Sequence, residues 1–350
     1  MSLPVHTRSA DATAGALADL RIVTDEMGYA QLYGSVAGGA LLPADHAEAL
    51  RCAHGYGGQA GAALRLLALG DTVPLGTLGG HLARLVERLG EAGLAVLENT
   101  GARLDDLILV PVIGGLLLTG VPPTYPAYKR MKGRAYLGED SLRLARALPS
   151  TRGSHVLDLG SGCGIQGILA SRDAAEVVCT DLEQRSLELT ALNAKLNGRA
   201  GGVEILAGDA FAPVAGRRFD LIVTLPPYLP ELPGAPDAVV AAGRDGLGLL
   251  RRLVAAAGDH LRPGGELVSL AQLLCDDDGP LLVRELAVLA PSLAPRLVAF
   301  DRHPIEPFIV ELAASSAPDD PATAAAAFQA TFRALGATGI CTAFLRLIAP

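Results

Sequence analysis

The sequence predicts a parallel α/β sheet preceded by a mainly helical domain, and three observations lead there. Short β-branched and aliphatic runs at His155–Leu159, Glu176–Asp181, Val203–Phe211 and Phe219–Thr224 alternate with helix-like stretches, the alternation that builds a parallel sheet with its ligands at the strand carboxyl ends. Glycines 160, 162, 164 and 167 crowd the exit of the first run. Residues 1–125 are instead rich in alanine, leucine and arginine at helical spacing.

In that first part, Ala12–Met27, Ala44–His54 and Gly61–Leu69 read as helices. Leu78–Leu89 places Leu82, Leu85, Val86 and Leu89 on one helical face. A short helical stretch is expected after Gly90, and Leu107–Val112, Gly114–Gly115 and Leu116–Thr119 read as a hairpin. Helices closed by a hairpin resemble a winged helix. Arg84 and Arg88 are offset by Glu87 and Glu91, so this domain is expected to serve as a lid or a dimerisation surface rather than to hold nucleic acid. Gly120–Ala127, with prolines at 122, 123 and 126, reads as a stiff linker.

The glycine-rich exit carries the chemistry. Gly162-Cys163-Gly164-Ile165-Gln166-Gly167 fits the dinucleotide fingerprint, and Asp181 follows at the spacing of a ribose-binding acid. Asp158 and Gly160 extend the pattern to Asp-x-Gly-x-Gly-x-Gly. That form resembles motif I of class I S-adenosylmethionine-dependent methyltransferases. The resemblance implies a Rossmann-like seven-stranded domain over residues 126–350 with S-adenosylmethionine as cofactor. It places Asp158, Gly160, Gly162 and Gly164 under the methionine part, where a carboxylate favours the ammonium. Asp181 then takes the ribose hydroxyls as an acceptor-only group, Leu182 packs on the adenine, and Asp209 with Ala210 meets the adenine amine. Asp181 also reads as an N-cap for a helix over Leu182–Asn197.

Phe219–Thr224 runs into Leu225-Pro226-Pro227-Tyr228. Two prolines fix the backbone and remove two amide donors, so their carbonyls can face a substrate N–H without competition. Tyr228 offers a flat face to a planar group or a cation. This end resembles the Asn-Pro-Pro-Tyr methyltransferases, which act on planar nitrogens such as base amines or the glutamine side-chain amide. Ala135–Ala145, holding Tyr136 and Glu139, looks like the segment that covers the cofactor in the glutamine-amide members. The likeness spans about residues 130–270, through Gly243–Leu247 and Leu261–Glu266. By resemblance the catalytic residues are Pro226, Pro227 and Tyr228, with Tyr136 at the cofactor. Leu225 departs from the family's Asn, Asp or Ser, and leucine accepts no hydrogen bond. The expected acceptor is therefore a small molecule methylated at N or O, with a protein glutamine amide or an RNA base amine as the alternative.

Composition bounds the partners. The 350 residues carry a net charge of −8, no Trp and 4% aromatics. Basic residues adjoin only as pairs such as Arg217-Arg218 and Arg251-Arg252, so nucleic acid is not an expected partner. Five cysteines without a CxxC pair and seven scattered histidines suggest no metal. Met1–Arg8 has no apolar signal core, and the run Leu107–Leu118 is broken by Pro111 and Gly114–Gly115. A cytoplasmic chain without a membrane span, forming a homodimer, is the expectation.

The last third completes the sheet: a fifth strand at Glu266–Leu270, then Arg296–Phe300 pairing with Ile309–Leu312 around His303–Pro307. A surface loop at Ser315–Asp320, a helix at Pro321–Leu335 and a final antiparallel strand at Gly339–Ile348 follow. His303 and Glu306 read as exposed loop residues.

Overall fold

The computed structural model describes residues 10–38, 40, 42–43, 45–122, 135–228, 243, 245–317 and 320–350. The chain divides into two compact units. The first holds Met1–Leu142, Gly162–Arg172 and Glu183–Ile205, and the second holds Arg143–Ser161, Asp173–Leu182 and Leu206–Pro350.

The first unit opens with α1 (Ala10–Glu26), α2 (Tyr29–Ala37), α3 (His46–Tyr56), α4 (Gly58–Ala63) and α5 (Gly80–Glu91). The side chains expected on one face of α5, Leu82, Leu85, Val86 and Leu89, are buried together. Asp45 caps α3 by accepting from the Glu48 amide at 3.0 Å. The sequence reading missed α2, whose only punctuation is Gly28 and Gly38 at its two ends, both in the left-handed region. It also expected a helix after Gly90, where a hairpin forms instead. Gly93 takes a positive φ of 65° between α5 and β1 (Ala95–Glu98), which pairs antiparallel with β2 (Gly101–Leu104). The second hairpin, β3 (Leu107–Val112) with β4 (Gly115–Gly120), pairs as expected. The linker Gly120–Ala127 lies outside the described residues from position 123 onward. Helix α6 (Glu139–Ala147) begins in this unit and ends in the second.

The same unit includes α7 (Ile165–Ala170) and α8 (Gln184–Leu196). Asn193 near the end of α8 and Asn197 just beyond it stand one helical turn apart and share a face. The Asn193 amide accepts from Leu118 N and donates to Leu118 O, both at 2.7 Å. Asn197 repeats the pattern two residues back, accepting from Leu116 N at 3.2 Å and donating to Leu116 O at 2.7 Å. Alternate residues of a strand present their backbone groups to the same edge. Two side-chain amides therefore stand in for a neighbouring strand along β4.

The second unit carries the sheet of β5 (His155–Leu159), β6 (Glu176–Asp181), β7 (Glu204–Ala207), β8 (Phe219–Thr224), β9 (Leu261–Asp276), β11 (Ala294–Pro304) and β12 (Gly339–Ile348). β7 begins in the first unit and ends in the second. The strand order is β11-β12-β9-β8-β5-β6-β7, with β10 (Gly279–Pro280) folding back on β9. β5 is parallel to β6 and β8, and β8 to β9, while β12 runs antiparallel to both neighbours as expected. Winding reverses between β5 and β8, the switch point at which open α/β sheets bind ligands. Leu157, Ile222 and Leu267 pack from these strands against Leu253 and Val254 of α9 (Gly248–His260), and α10 (Val283–Leu289) adds Leu286.

Two expectations fail in the last third. Ile309–Leu312 is not a strand but part of α11 (Ile305–Ser316), where Ile305, Ile309 and Leu312 pack on Phe328 and Phe332 of α12 (Pro321–Ala334). Those residues sit at helical rather than alternating spacing, and Pro307 falls in the first turn, where a missing N–H costs nothing. Among the described residues β11 pairs with β12 alone. Ser315 and Ser316 close α11 rather than open a loop, and residues 318 and 319 lie outside the described set; Asp320 caps α12 by accepting from Thr323 N at 3.2 Å. β11 is long and largely exposed. Between Phe300 and His303 its register slips against β12, and Asp301 there takes a positive φ of 51°, a β-bulge.

Candidate functional site

Asp158 lies near the end of β5, only 2% exposed, beside Cys179 of β6 in the parallel register. Burial pushes the Cys179 thiol well up, and the Asp158 carboxylate adds to it. The chain then turns at Gly160, with φ 75°. The Gly160 and Ser161 amides both donate to the Thr180 carbonyl, at 2.8 and 2.9 Å, which ties the turn to the end of β6. A Cβ on Gly160 would meet no atom within 4 Å. The turn thus leaves open space above a backbone that only glycine adopts readily.

Gly162 and Gly164 belong to the first unit, with φ 57° and 82°. A Cβ on Gly164 would come within 2.8 Å of Thr190 Cγ2. The Thr190 hydroxyl donates to the Gly162 carbonyl at 3.1 Å, and Asn193 Nδ2 donates to the Cys163 carbonyl at 2.8 Å. α8 thereby fixes the glycine turn as well as the hairpin. Tyr136, also in the first unit, is 47% exposed and bridges to Gly120.

At the end of β6, Asp181 is half-buried and Leu182 is 68% exposed. Asp181 is not the helix cap that the sequence suggested, because Glu183 occupies the N-cap position of α8 and makes no side-chain cap bond. The Asp181 carbonyl accepts from Gly208 N at 3.0 Å, which brings the Gly208–Ala210 turn alongside. That turn is strained: Ala210 takes φ 48°, an uncommon value for a residue with a side chain. Asp209 pairs with Arg252 of α9 at 2.7 Å, both side chains more than half exposed. Arg252 is a partner the sequence reading counted only as one of an arginine pair; nothing in the spacing pointed to it.

At the end of β8, Thr224 donates to the Leu159 carbonyl at 2.8 Å and ties the two strands at the switch point. Leu225, Pro227 and Tyr228 are half-buried and Pro226 is buried, with Tyr228 packed against the sheet core. Ser269 of β9 is the register neighbour of Thr224; its hydroxyl is buried and has no hydrogen-bond partner among the described residues. Asp158, Gly160, Asp181, Leu182, Asp209, Ala210 and Pro226–Tyr228 all lie in the second unit, near or just past the carboxyl ends of β5 to β8. His303 and Glu306 are exposed at the end of the edge strand β11 and the start of α11. Among the described residues no group of His, Cys, Asp and Glu is placed to hold a metal, and no helix is long and apolar enough to cross a membrane.

A sheet reversed at its first strand, with a glycine turn there and an acid at the next strand's end, makes a Rossmann-like α/β domain whose ligands bind at the switch point. Residues 135–275 match the family described as the methyltransferase small domain. The chain is similar to the ribosomal protein uL3 glutamine methyltransferase of Bradyrhizobium diazoefficiens, 37% identical over 124 residues, covering 32% of this chain and 39% of that one. The release factor glutamine methyltransferase of Gloeobacter violaceus is 32% identical over 150 residues, covering 39% of this chain and 51% of that one. The release factor glutamine methyltransferase of Deinococcus radiodurans is 41% identical over 124 residues, covering 32% and 44%. The chain spans about half or less of the length of these relatives.

These relatives correct the expectation of a small-molecule acceptor and partner, since each is named for methylating a glutamine of a protein. The expectation rested on Leu225. Leucine removes one side-chain acceptor yet leaves the backbone carbonyls of the turn, and one hydrogen bond is worth only about 0.5–1.5 kcal/mol. The acidic balance weighs against nucleic acid but is no obstacle to a protein.

Proposed function

We propose that the chain is an S-adenosylmethionine-dependent methyltransferase that methylates the side-chain amide nitrogen of a glutamine in a protein. The observation that carries this reading is the Pro226-Pro227-Tyr228 turn, tied by Thr224 to the strand that leads into the glycine turn, together with the likeness to glutamine methyltransferases. The residues present suit the cofactor: open space above Gly160, a buried carboxylate at Asp158, a half-buried one at Asp181 and an exposed apolar face at Leu182.

In this reading Asp158, Gly160, Gly162 and Gly164 hold the methionine end, with Tyr136 at its rim. Asp181 accepts from the ribose hydroxyls, Leu182 covers the adenine, and Asp209 and Ala210 meet its amine. Bound S-adenosylmethionine supplies a methyl group already activated by its sulfonium. The chain has to hold the amide nitrogen in line and keep water out, and such positioning is worth at most about 7–11 kcal/mol. The carbonyls of Leu225 and Pro226 precede residues without N–H groups and accept from the substrate amide, orienting its nitrogen lone pair. Tyr228 stacks on the amide plane. Residues 1–125 form a lid or dimerisation domain and 126–350 the methyltransferase domain, in the cytoplasm.

The test is transfer of a labelled methyl group to purified release factor and uL3 from the same organism, with mass spectrometry of the labelled peptide. Label on a glutamine side chain is the expected result. Transfer confined to low-mass compounds, or none with a folded cofactor-binding enzyme, would overturn the reading.

A further inference from the structure

Three arginines of the first unit line one cavity. Arg21 of α1, Arg172 beyond α7 and Arg199 beyond α8 border about 70 Å³ together with Asn197 and Gly114, and no lining residue is acidic. Elsewhere in the chain arginines characteristically meet carboxylates, as in Arg65–Asp71, Arg143–Asp301, Arg251–Asp245 and Arg346–Glu266. Neither Asp25, one turn beyond Arg21, nor Asp173, next to Arg172, reaches the cavity lining.

The cavity is held in shape by the hairpin turn. Arg172 donates to the carbonyls of Ile113, at 2.9 Å, and of Gly114. Gly114 has φ 70°, and any Cβ there would collide with the Arg172 guanidinium, so the glycine is what lets this arginine lie against the turn. Asn197 is fixed in turn by its two bonds to Leu116. A space of this size holds roughly two waters, about the room one tetrahedral oxyanion needs. Guanidinium forks match such an anion with paired N–H donors.

We propose that this cavity is a binding site for a phosphate-type oxyanion, held by Arg21, Arg172 and Arg199. Anchoring Arg172 to two carbonyls leaves a fixed positive rim with low ordering cost on binding. Arg21 of α1 and Arg199, just past the end of α8, supply the other two guanidinium groups. None of the three belongs to the proposed methyl-transfer site, so the inference stands or falls independently of that function.

The probe is inorganic phosphate, titrated into the full chain by calorimetry and by thermal melting against sodium chloride of equal ionic strength. Phosphate is expected to bind and raise the melting temperature where chloride does not. Arg21→Gln and Arg199→Gln are each expected to weaken binding roughly tenfold while leaving the phosphate-free melting temperature unchanged. Arg172 is left in place because it also secures the turn. The proposal is overturned if phosphate acts no differently from chloride, or if the Arg21→Gln/Arg199→Gln double variant binds it as tightly as the parent chain.

Discussion

Replacing Asn193 by alanine tests how far the glycine turn depends on the N-terminal hairpin. The side chain is fully buried, and its amide makes bonds of 2.7 Å to Leu118 N, 2.7 Å to Leu118 O and 2.8 Å to Cys163 O. Alanine leaves one donor and two acceptors unpaired where water has no access. Each such group costs about 1–3 kcal/mol, so the expected loss is roughly 3–9 kcal/mol, a large share of the ~5–15 kcal/mol that holds a domain together. Urea unfolding reads this as a lowered midpoint. Asn197→Ala removes a similar pair of bonds at a half-buried position, where water substitutes, and is expected to cost only about 1–2 kcal/mol. A second readout follows from the Cys163 bond: at a temperature where Asn193→Ala is folded, S-adenosylmethionine should bind roughly tenfold more weakly, while Asn197→Ala binds it normally. The reasoning is refuted if Asn193→Ala costs no more than Asn197→Ala, or if it loses stability with no change in cofactor affinity.

Asp181→Ala should raise the dissociation constant for S-adenosylmethionine by about 10²–10⁴-fold, two charge-assisted bonds at ~1.5–3 kcal/mol each; calorimetry showing unchanged affinity would remove the ribose assignment. Leu225→Asn restores a side-chain acceptor and should raise kcat on a glutamine-bearing protein by about 2–10-fold, whereas no gain would mean that the turn carbonyls suffice. Ser269→Ala deletes a buried hydroxyl without a partner and should raise the urea midpoint by the equivalent of about 1 kcal/mol; a lower midpoint would show that the hydroxyl is bonded. Burial pulls the Asp245 carboxyl upward, but the Arg251 guanidinium and the Leu247 amide outweigh it and hold it below its ordinary 3.8. The unfolded chain therefore takes up this proton first, so the stabilisation is complete above that value and fades as pH falls below it. Asp245→Asn should be less stable at neutral pH and should lose less on acidification than the parent, measured as melting temperature between neutral pH and the acid limb.

The sheet was legible wherever one local rule decided the outcome. β5, β6 and β8 are continuous apolar runs because both faces of a parallel strand are buried, and the glycine turn announces itself by composition. Ile309–Leu312 misled because three apolar residues among four are too few to fix a period; what decides is the pair of phenylalanines in α12, which lie across the fold rather than along the chain. Arg252 at Asp209 and the two asparagines on β4 were invisible for the same reason, since their partners lie 43, 75 and 81 residues away. Leu225 was read correctly as a departure and wrongly as a change of substrate class. The sequence shows which side chain is missing but not which backbone carbonyls stay in place.

The bulge in β11 bears on whether the molecule stays apart from its own copies. An edge strand of eleven residues, open on nearly every side chain, is a template for adding another strand. Here the ladder is interrupted at Asp301, whose carboxylate is drawn aside to Arg143 at 2.9 Å. Prolines at 295 and 304 withhold donors near both ends, and Arg296, Arg302 and His303 add charge or polarity along the rim. Deleting one bulge residue would leave His303 opposite Ile340 and straighten β11 into an uninterrupted edge. The extra residue therefore acts as a guard on solubility, and a variant lacking it would be the first place to look for fibrous or sheet-to-sheet aggregation.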